Sequence, residues 1–344
     1  MSVRTWLGLA AGLAAAGCGG SEDVAIDAGD EVFDGGASAD AAAGEDGGLP
    51  EGGGEAFRGE VLVYERFEDE AFSERGWYDS AGASLSSDEH APVEGSTRSF
   101  RCHFAEGATS CPGSPGRNQF DPVESVYLGY WVKYAEGWEG SGVPYHPHEF
   151  HFVTTEDDRF VGPARTHLTT YIEQVGLVPM LALQDSRNVD AACVLRNDDS
   201  FVGCGGSFEE YEFTEARSVA ACNGLVGDVD GRDCFSTGED AWYSARSWRG
   251  PEPAFEPGRW HHVEAYFRLN SIDEGVGQVD GELRMWVDGE EVVGSERILF
   301  RTGKHPEMRF DQFLVAPYIG DGSPVEQTVY YDELVIARGR DLGR

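Results

Sequence analysis

Two short stretches of this 344-residue chain concentrate side chains that move protons. His146–Phe152 reads H-P-H-E-F-H-F, and Thr166–Glu173 reads T-H-L-T-T-Y-I-E. Successive side chains of a strand point to opposite faces. A regular first strand therefore puts Glu149, His151 and Val153 on one face and His148, Phe150 and Phe152 on the other. The second strand groups His167, Thr169, Tyr171 and Glu173. Imidazole, phenol and carboxylate on neighbouring strands make an acid/base constellation. The same pattern also suits a solvated polar face of an antiparallel sheet. His146, His148, Glu149 and His151 are metal-ligand types. Alternation turns His148 away from Glu149 and His151, so one strand does not converge them on one ion.

The elements that must position these residues read as strands. Gly258–Asn270 is G-R-W-H-H-V-E-A-Y-F-R-L-N, and Asp280–Gly289 is D-G-E-L-R-M-W-V-D-G. Val263, Ala265, Phe267 and Leu269 share a face, as do Leu283, Met285 and Val287. The opposite faces carry Trp260, Glu264, Tyr266, Arg268 and Trp286. Aromatic rings and charges on such a face are candidate sugar contacts. Further strands are expected at Val61–Phe67, Ser99–Phe104, Ser125–Tyr134, Glu149–Thr154, Thr166–Val175, Met180–Gln184, Gln312–Ala316 and Thr328–Ala337. No helix-length periodicity stands out, so the chain is all-β. We expect the polar faces of Glu149–Val153, Thr166–Glu173 and Trp260–Asn270 to share one concave sheet.

The Trp-His-x-Val strand followed by a W-x-D-G turn resembles the concanavalin A-like (laminin G / polysaccharide lyase) jelly roll. That resemblance implies a two-sheet antiparallel jelly-roll sandwich. The layout from W-H-H-V-E-A-Y-F-R-L-N to Y-Y-D-E-L-V-I is similar to the alginate/glucuronan lyase-like group, in outline over Val61–Ala337. Lyases on this fold remove the C5 proton of a uronic acid with Tyr or His. They neutralise its carboxylate with Arg, Gln, Asn or His, which stabilises the enolate. Tyr171, His151, His167, Arg165 and Arg268 are of those types. The Q-x-H and Y-x-K-x-G-x-Y signatures of the best-known alginate lyases are absent. H-E-F-H-F also resembles the E-x-D-x-x-E strand of laminarinase-type glycosidases, with Glu149 as nucleophile. There His151 replaces the assisting Asp, and the second carboxyl that retention requires is missing. The fold resemblance further implies a structural Ca²⁺ bound through Glu68 or Asp69 and Asp332; no cofactor is required. Gly227–Asp233 has EF-hand-like alternation without the closing Glu and reads as a turn.

The ends and the cysteines bear on location. Arg4 and the apolar run Trp6–Ala16 form a targeting segment too short to span a bilayer. Small residues lead to Cys18, which resembles a bacterial lipobox and implies lipidation at Cys18. Gly19, in place of Asp, implies the outer membrane or cell surface. Residues 19–56 are rich in Gly, Ala, Asp and Glu without Lys or Arg, a tether expected to be disordered. Residues 57–344 form the expected domain, with a Cys-rich insert at 185–257. The remaining cysteines fall into local pairs, Cys102 with Cys111, Cys193 with Cys204 and Cys222 with Cys234, expected as disulfides in an exported chain. A formal net charge of -36 argues against nucleic acid as a partner. Polysaccharide is the expected partner, with membrane contact only through the anchor. The leading expectation is lyase-like β-elimination on a uronic-acid polymer. The alternatives are glycan binding without turnover and glycoside hydrolysis.

Overall fold

The computed structural model describes residues 59–143, 147–154, 159–160, 168–185, 217–219, 248–278, 280–298, 300–301 and 306–339. Cys18, the tether, His146, Arg165, His167, the Gly227–Asp233 turn and Cys193, Cys204, Cys222 and Cys234 lie outside the described residues.

The strands run in chain order β1 (Glu60–Glu65), β2 (Trp77–Tyr78), β3 (Leu85–Ser86), β4 (Ser99–Phe104), β5 (Gly116–Val123) and β6 (Ser125–Tyr134). Then come β7 (His148–Val153), β8 (Leu168–Val175), β9 (Val178–Asp185), β10 (Arg217–Val219), β11 (Trp248–Arg249) and β12 (His261–Arg268). The last are β13 (Ile272–Asp273), β14 (Val276–Gly277), β15 (Gly281–Val287), β16 (Glu290–Ile298), β17 (Phe310–Tyr318) and β18 (Gln327–Arg338). One sheet has the order β16-β15-β12-β6-β18-β4-β3, with β1 also on β18. The second has the order β10-β9-β8-β7-β17-β5-β2, with β11 also on β9. Neighbours in both sheets are antiparallel, except that β10 lies parallel to β9. Both described pieces of the insert, β10 and β11, thus attach to the same strand of the second sheet.

The alternation read from the sequence decides what fills the space between the sheets. Val263, Ala265, Phe267, Leu283, Met285 and Val287 all enter one core with Phe150, Phe152, Phe313 and Tyr331. Aromatic rings cross from sheet to sheet: Phe152 meets Phe267 at 6.2 Å and Phe150 meets Tyr331 at 5.0 Å between centroids. Burying each such ring contributes about 1.5–3 kcal/mol. The outward side of the first sheet carries a separate cluster of Tyr127, Tyr266, Trp286 and Ala337.

The Trp-His-x-Val and W-x-D-G segments have a structural task. Asp288 and Gly289 both have positive φ, 52° and 85°, as a two-residue type I′ hairpin turn requires. The Asp288 carboxylate accepts from the His262 N–H at 3.0 Å and meets Nδ1 of buried His261 at 2.9 Å. The turn is thereby fastened to the start of β12, so the motif signals the fold.

One expectation is corrected. β7 and β8 belong to the second sheet, whereas β12 and β15 belong to the first. The polar faces of Glu149–Val153 and Trp260–Asn270 therefore look outward on opposite sides of the sandwich. A period of two fixes which side chains turn outward but not which sheet receives the strand. Among the expected disulfides, Cys102–Cys111 is formed.

Candidate functional site

The site is built by a bulge in β7. His148 pairs with Glu173 and Phe150 with Ile172, so Glu149 is an extra residue opposite β8. A bulge re-aims the side chains around it. Glu149 turns inward, and His148 joins His151 on the outer face. The rings of His148 and His151 lie 6.0 Å apart, and each lies 4.7 Å from that of Tyr171. His148 Nδ1–H donates to the buried Glu173 carboxylate. This reverses the facing that a regular two-residue period gives His148 and Glu149, because the bulge adds one residue to β7 opposite β8.

Glu149 is 1% exposed, and its Oε1 accepts from the Tyr134 hydroxyl at 2.9 Å. Burial pushes its carboxyl up to about 8, and the Glu173 charge adds to the rise. Such a group does not face a substrate as a nucleophile. The hydrolase assignment of Glu149 is withdrawn on that ground.

Registered pairs extend the cluster into a row across the second sheet. Tyr78 stands opposite Arg117, Arg117 opposite Leu314, Leu314 opposite His151 and His151 opposite Tyr171. Cross-strand partners share a face. The row therefore joins an aromatic ring, a guanidinium, an imidazole and a phenol on one side of the sheet. Arg117 is held from two directions. Its Nε donates to Asp79 Oδ2 at 2.7 Å and its Nη1 donates to Gln312 Oε1. Gln312 in turn donates from Nε2 to the Arg159 carbonyl at 3.0 Å. The backbone beside this network is strained: Asp79 and Ser80 have φ of 58° and 96°. Non-glycine residues rarely adopt such angles, and they recur at functional sites.

Burial, then the neighbouring His148 and Arg117 charges, hold the His151 imidazole well below its ordinary value. It is neutral at neutral pH. It is 4% exposed, and its Nδ1 has no hydrogen-bond partner. A buried polar atom left unpaired asks for an explanation. A neutral imidazole with a spare nitrogen beside a phenol is suited to proton transfer.

The remaining expected residues are elsewhere. Arg268 donates from Nη2 to the Asp280 carbonyl at 2.9 Å and stands beside Glu282 on the first sheet. Glu264 accepts from the Tyr127 hydroxyl at 2.9 Å, and Trp260 lies near Tyr330. Tyr266 and Trp286 pack with Tyr127 in the outer cluster of that sheet. None of these joins the His151 row. Glu68 accepts from the Thr97 N–H and hydroxyl. Asp332 accepts from the Ala91 N–H and the Ser96 hydroxyl, both at 2.7 Å. Both carboxylates anchor the 91–98 loop by accepting from N–H and O–H donors. Among the described residues, no group of three or more His, Cys, Asp or Glu is arranged to hold a metal ion.

The sequence reading missed Arg117 and Gln312 as site residues and turned His148 away from His151. Gln312 opens an expected strand, but its role appears only when β5 and β7 close on either side of β17.

No protein-family model matches this chain. No curated protein matches it either. Solved structures with similar architecture include the alginate lyase vAL-1 from Chlorella virus, at 14% identity and a TM-score of 0.46, covering 81% of this chain and 100% of that one. The endo-beta-1,4-glucuronan lyase from the fungus Trichoderma reesei gives 13% and 0.40, covering 83% and 96%. The PL-14 alginate lyase from Aplysia kurodai gives 10% and 0.44, covering 82% and 98%. Neither identity nor superposition at these levels extends to the chemistry of the outer face.

Proposed function

We propose that the outer face of the second sheet performs β-elimination on a uronic-acid polymer. The observation that carries this reading is the buried neutral His151, its Nδ1 unpartnered, in ring contact with Tyr171 and in one row with Arg117. In this reading His151 accepts the proton α to the sugar carboxylate. The C5–H electrons form the C4–C5 double bond, and the glycosidic C4–O bond breaks. Tyr171 donates its phenolic proton to the departing oxygen. Arg117, oriented by Asp79 and Gln312, offsets the negative charge gathering on the carboxylate, an electrostatic contribution realised mainly in the transition state. Glu173 fixes the His148 ring, which limits how the two flanking rings can tilt.

The test is a panel of polyuronates read by the ultraviolet absorbance of the unsaturated product. Absorbance should rise for at least one polymer. Tyr171→Phe should lower the rate by about 10²–10⁴-fold, the usual worth of a positioned acid or base, while glycan binding persists. No rise on any polyuronate would reject elimination, and retained binding would then favour a non-catalytic glycan-binding protein. Anchoring through a lipid on Cys18 belongs to the same proposal, supported by the residues around Cys18.

A further inference from the structure

The far end of the catalytic row carries a second feature that the elimination step does not use. Arg159 and Phe160 are both exposed. The Arg159 guanidinium lies 4.0 Å from the centroid of the Tyr78 ring and 5.2 Å from that of Phe160. The two rings meet edge to face at 5.3 Å. The backbone beneath is pinned twice, because the Arg159 carbonyl accepts from the Tyr78 hydroxyl at 2.6 Å and from Gln312 Nε2 at 3.0 Å. Gln312 is the same side chain that orients Arg117. Among the described residues no carboxylate pairs with Arg159. Other arginines of this acidic chain, Arg66, Arg75, Arg117, Arg284 and Arg301, are ion-paired.

A cation held over aromatic rings, exposed and without a carboxylate partner, is prepared to receive an anion next to a flat apolar surface. Uronic acids present that combination: a carboxylate on the edge of a ring whose C–H face stacks on aromatics. Tyr78 and His151 are three strands apart in one row, about 14 Å at the usual strand spacing. A chain crossing the strands therefore places a sugar other than the one being cleaved at Arg159.

We propose that Arg159, Tyr78 and Phe160 form a distal subsite that grips the carboxylate and ring face of a neighbouring uronate in the polymer. The proposal rests on the reading of this face as a polyuronate site and makes the enzyme selective for a polymer charged at successive sugars.

Titration calorimetry on the Tyr171→Phe protein separates the subsite from the chemistry. Arg159→Ala in that background should weaken binding of an oligouronate about fivefold, the upper range for an exposed charge pair. It should leave unchanged the binding of the same oligomer with its carboxylates reduced to alcohols. Phe160→Ala should weaken both oligomers, because it removes stacking and not charge. Thermal melting at the parent temperature confirms that the exposed substitutions leave the fold intact. Equal affinity of the Arg159→Ala and parental proteins for the oligouronate would overturn the proposal, as would equal loss for charged and neutral oligomers. If the intact protein shows no turnover yet binding still depends on Arg159, the elimination reading falls and the subsite stands. If the intact protein binds no oligouronate, both fall.

Discussion

Glu149 shows how one side chain sets the geometry of its neighbours. As the extra residue of the bulge, it permits His148 and His151 to share a face while its own carboxyl enters the core among Tyr130, Tyr134 and Tyr331. Burial there disfavours the ionised carboxylate, and the hydrogen bond from Tyr134 only partly offsets that cost. The folded state thus holds a proton up to about pH 8, while the unfolded chain releases it near 4.5. Between those values the folded state binds more protons than the unfolded state, so stability falls as pH rises. At about 1.4 kcal/mol per unit, the loss reaches roughly 3 kcal/mol by neutral pH. Glu149→Gln mimics the protonated acid and removes the titration. Its melting temperature should exceed the parent's at pH 7, and the gap should close towards pH 4.5. Parallel melting curves for the two proteins across that range would show that Glu149 titrates normally.

At the scale of strands, what the sequence disclosed and what it hid have different physical causes. β12 and β15 put aliphatic and Phe side chains on the core face and charged or amphipathic ones on the other, so strict alternation revealed both their extent and their inward side chains. The Asp288–Gly289 turn was equally legible, since few dipeptides tolerate two positive φ values. β5 was invisible. It contains Gly116 and Pro122 and a polar run from Arg117 to Gln119, which reads as loop. It nonetheless carries Arg117, whose partner Gln312 lies 195 residues away. Contacts at such separation are set by strand order, which periodicity does not encode. The bulge was hidden for a related reason: one inserted residue leaves the local pattern looking regular. Gly116 is the element on which this corner turns. Its φ is 81°, and a Cβ there would lie 2.1 Å from the Asp79 carbonyl oxygen and 2.3 Å from that of Tyr78. Gly116→Ala must push β2 away from β5 or distort the backbone. We expect a loss of at least about 2 kcal/mol in denaturant unfolding, with weakened oligouronate binding as Tyr78 moves. An unchanged midpoint and affinity would mean that β2 pairing matters little to the site.

The whole molecule combines a strongly acidic chain with a site proposed for an anionic polymer. If a lipid on Cys18 anchors the chain, Cys18→Ser should move the protein from the membrane fraction to the soluble one, because the acyl chains would supply the membrane affinity. Persistence in the membrane fraction would reject that anchor. The charge makes a sharper prediction. The net charge of -36 repels an approaching polyuronate at long range, while Arg117 and Arg159 attract it only at contact. Salt separates the two by distance. The screening length is about 30 Å at 0.01 M ionic strength, 10 Å at 0.1 M and 3 Å at 1 M. Raising salt from 0.01 to 0.1 M removes the long-range repulsion first and leaves contact pairs largely intact. Raising it to 1 M screens the contacts as well. The kcat/KM for a polyuronate should therefore rise over the first interval and fall over the second, whereas binding of a carboxyl-reduced oligomer should stay flat throughout. Arg159→Ala should keep the initial rise and lessen the later fall. A monotonic decline from the lowest salt would mean that the local cations, and not the global charge, govern the encounter.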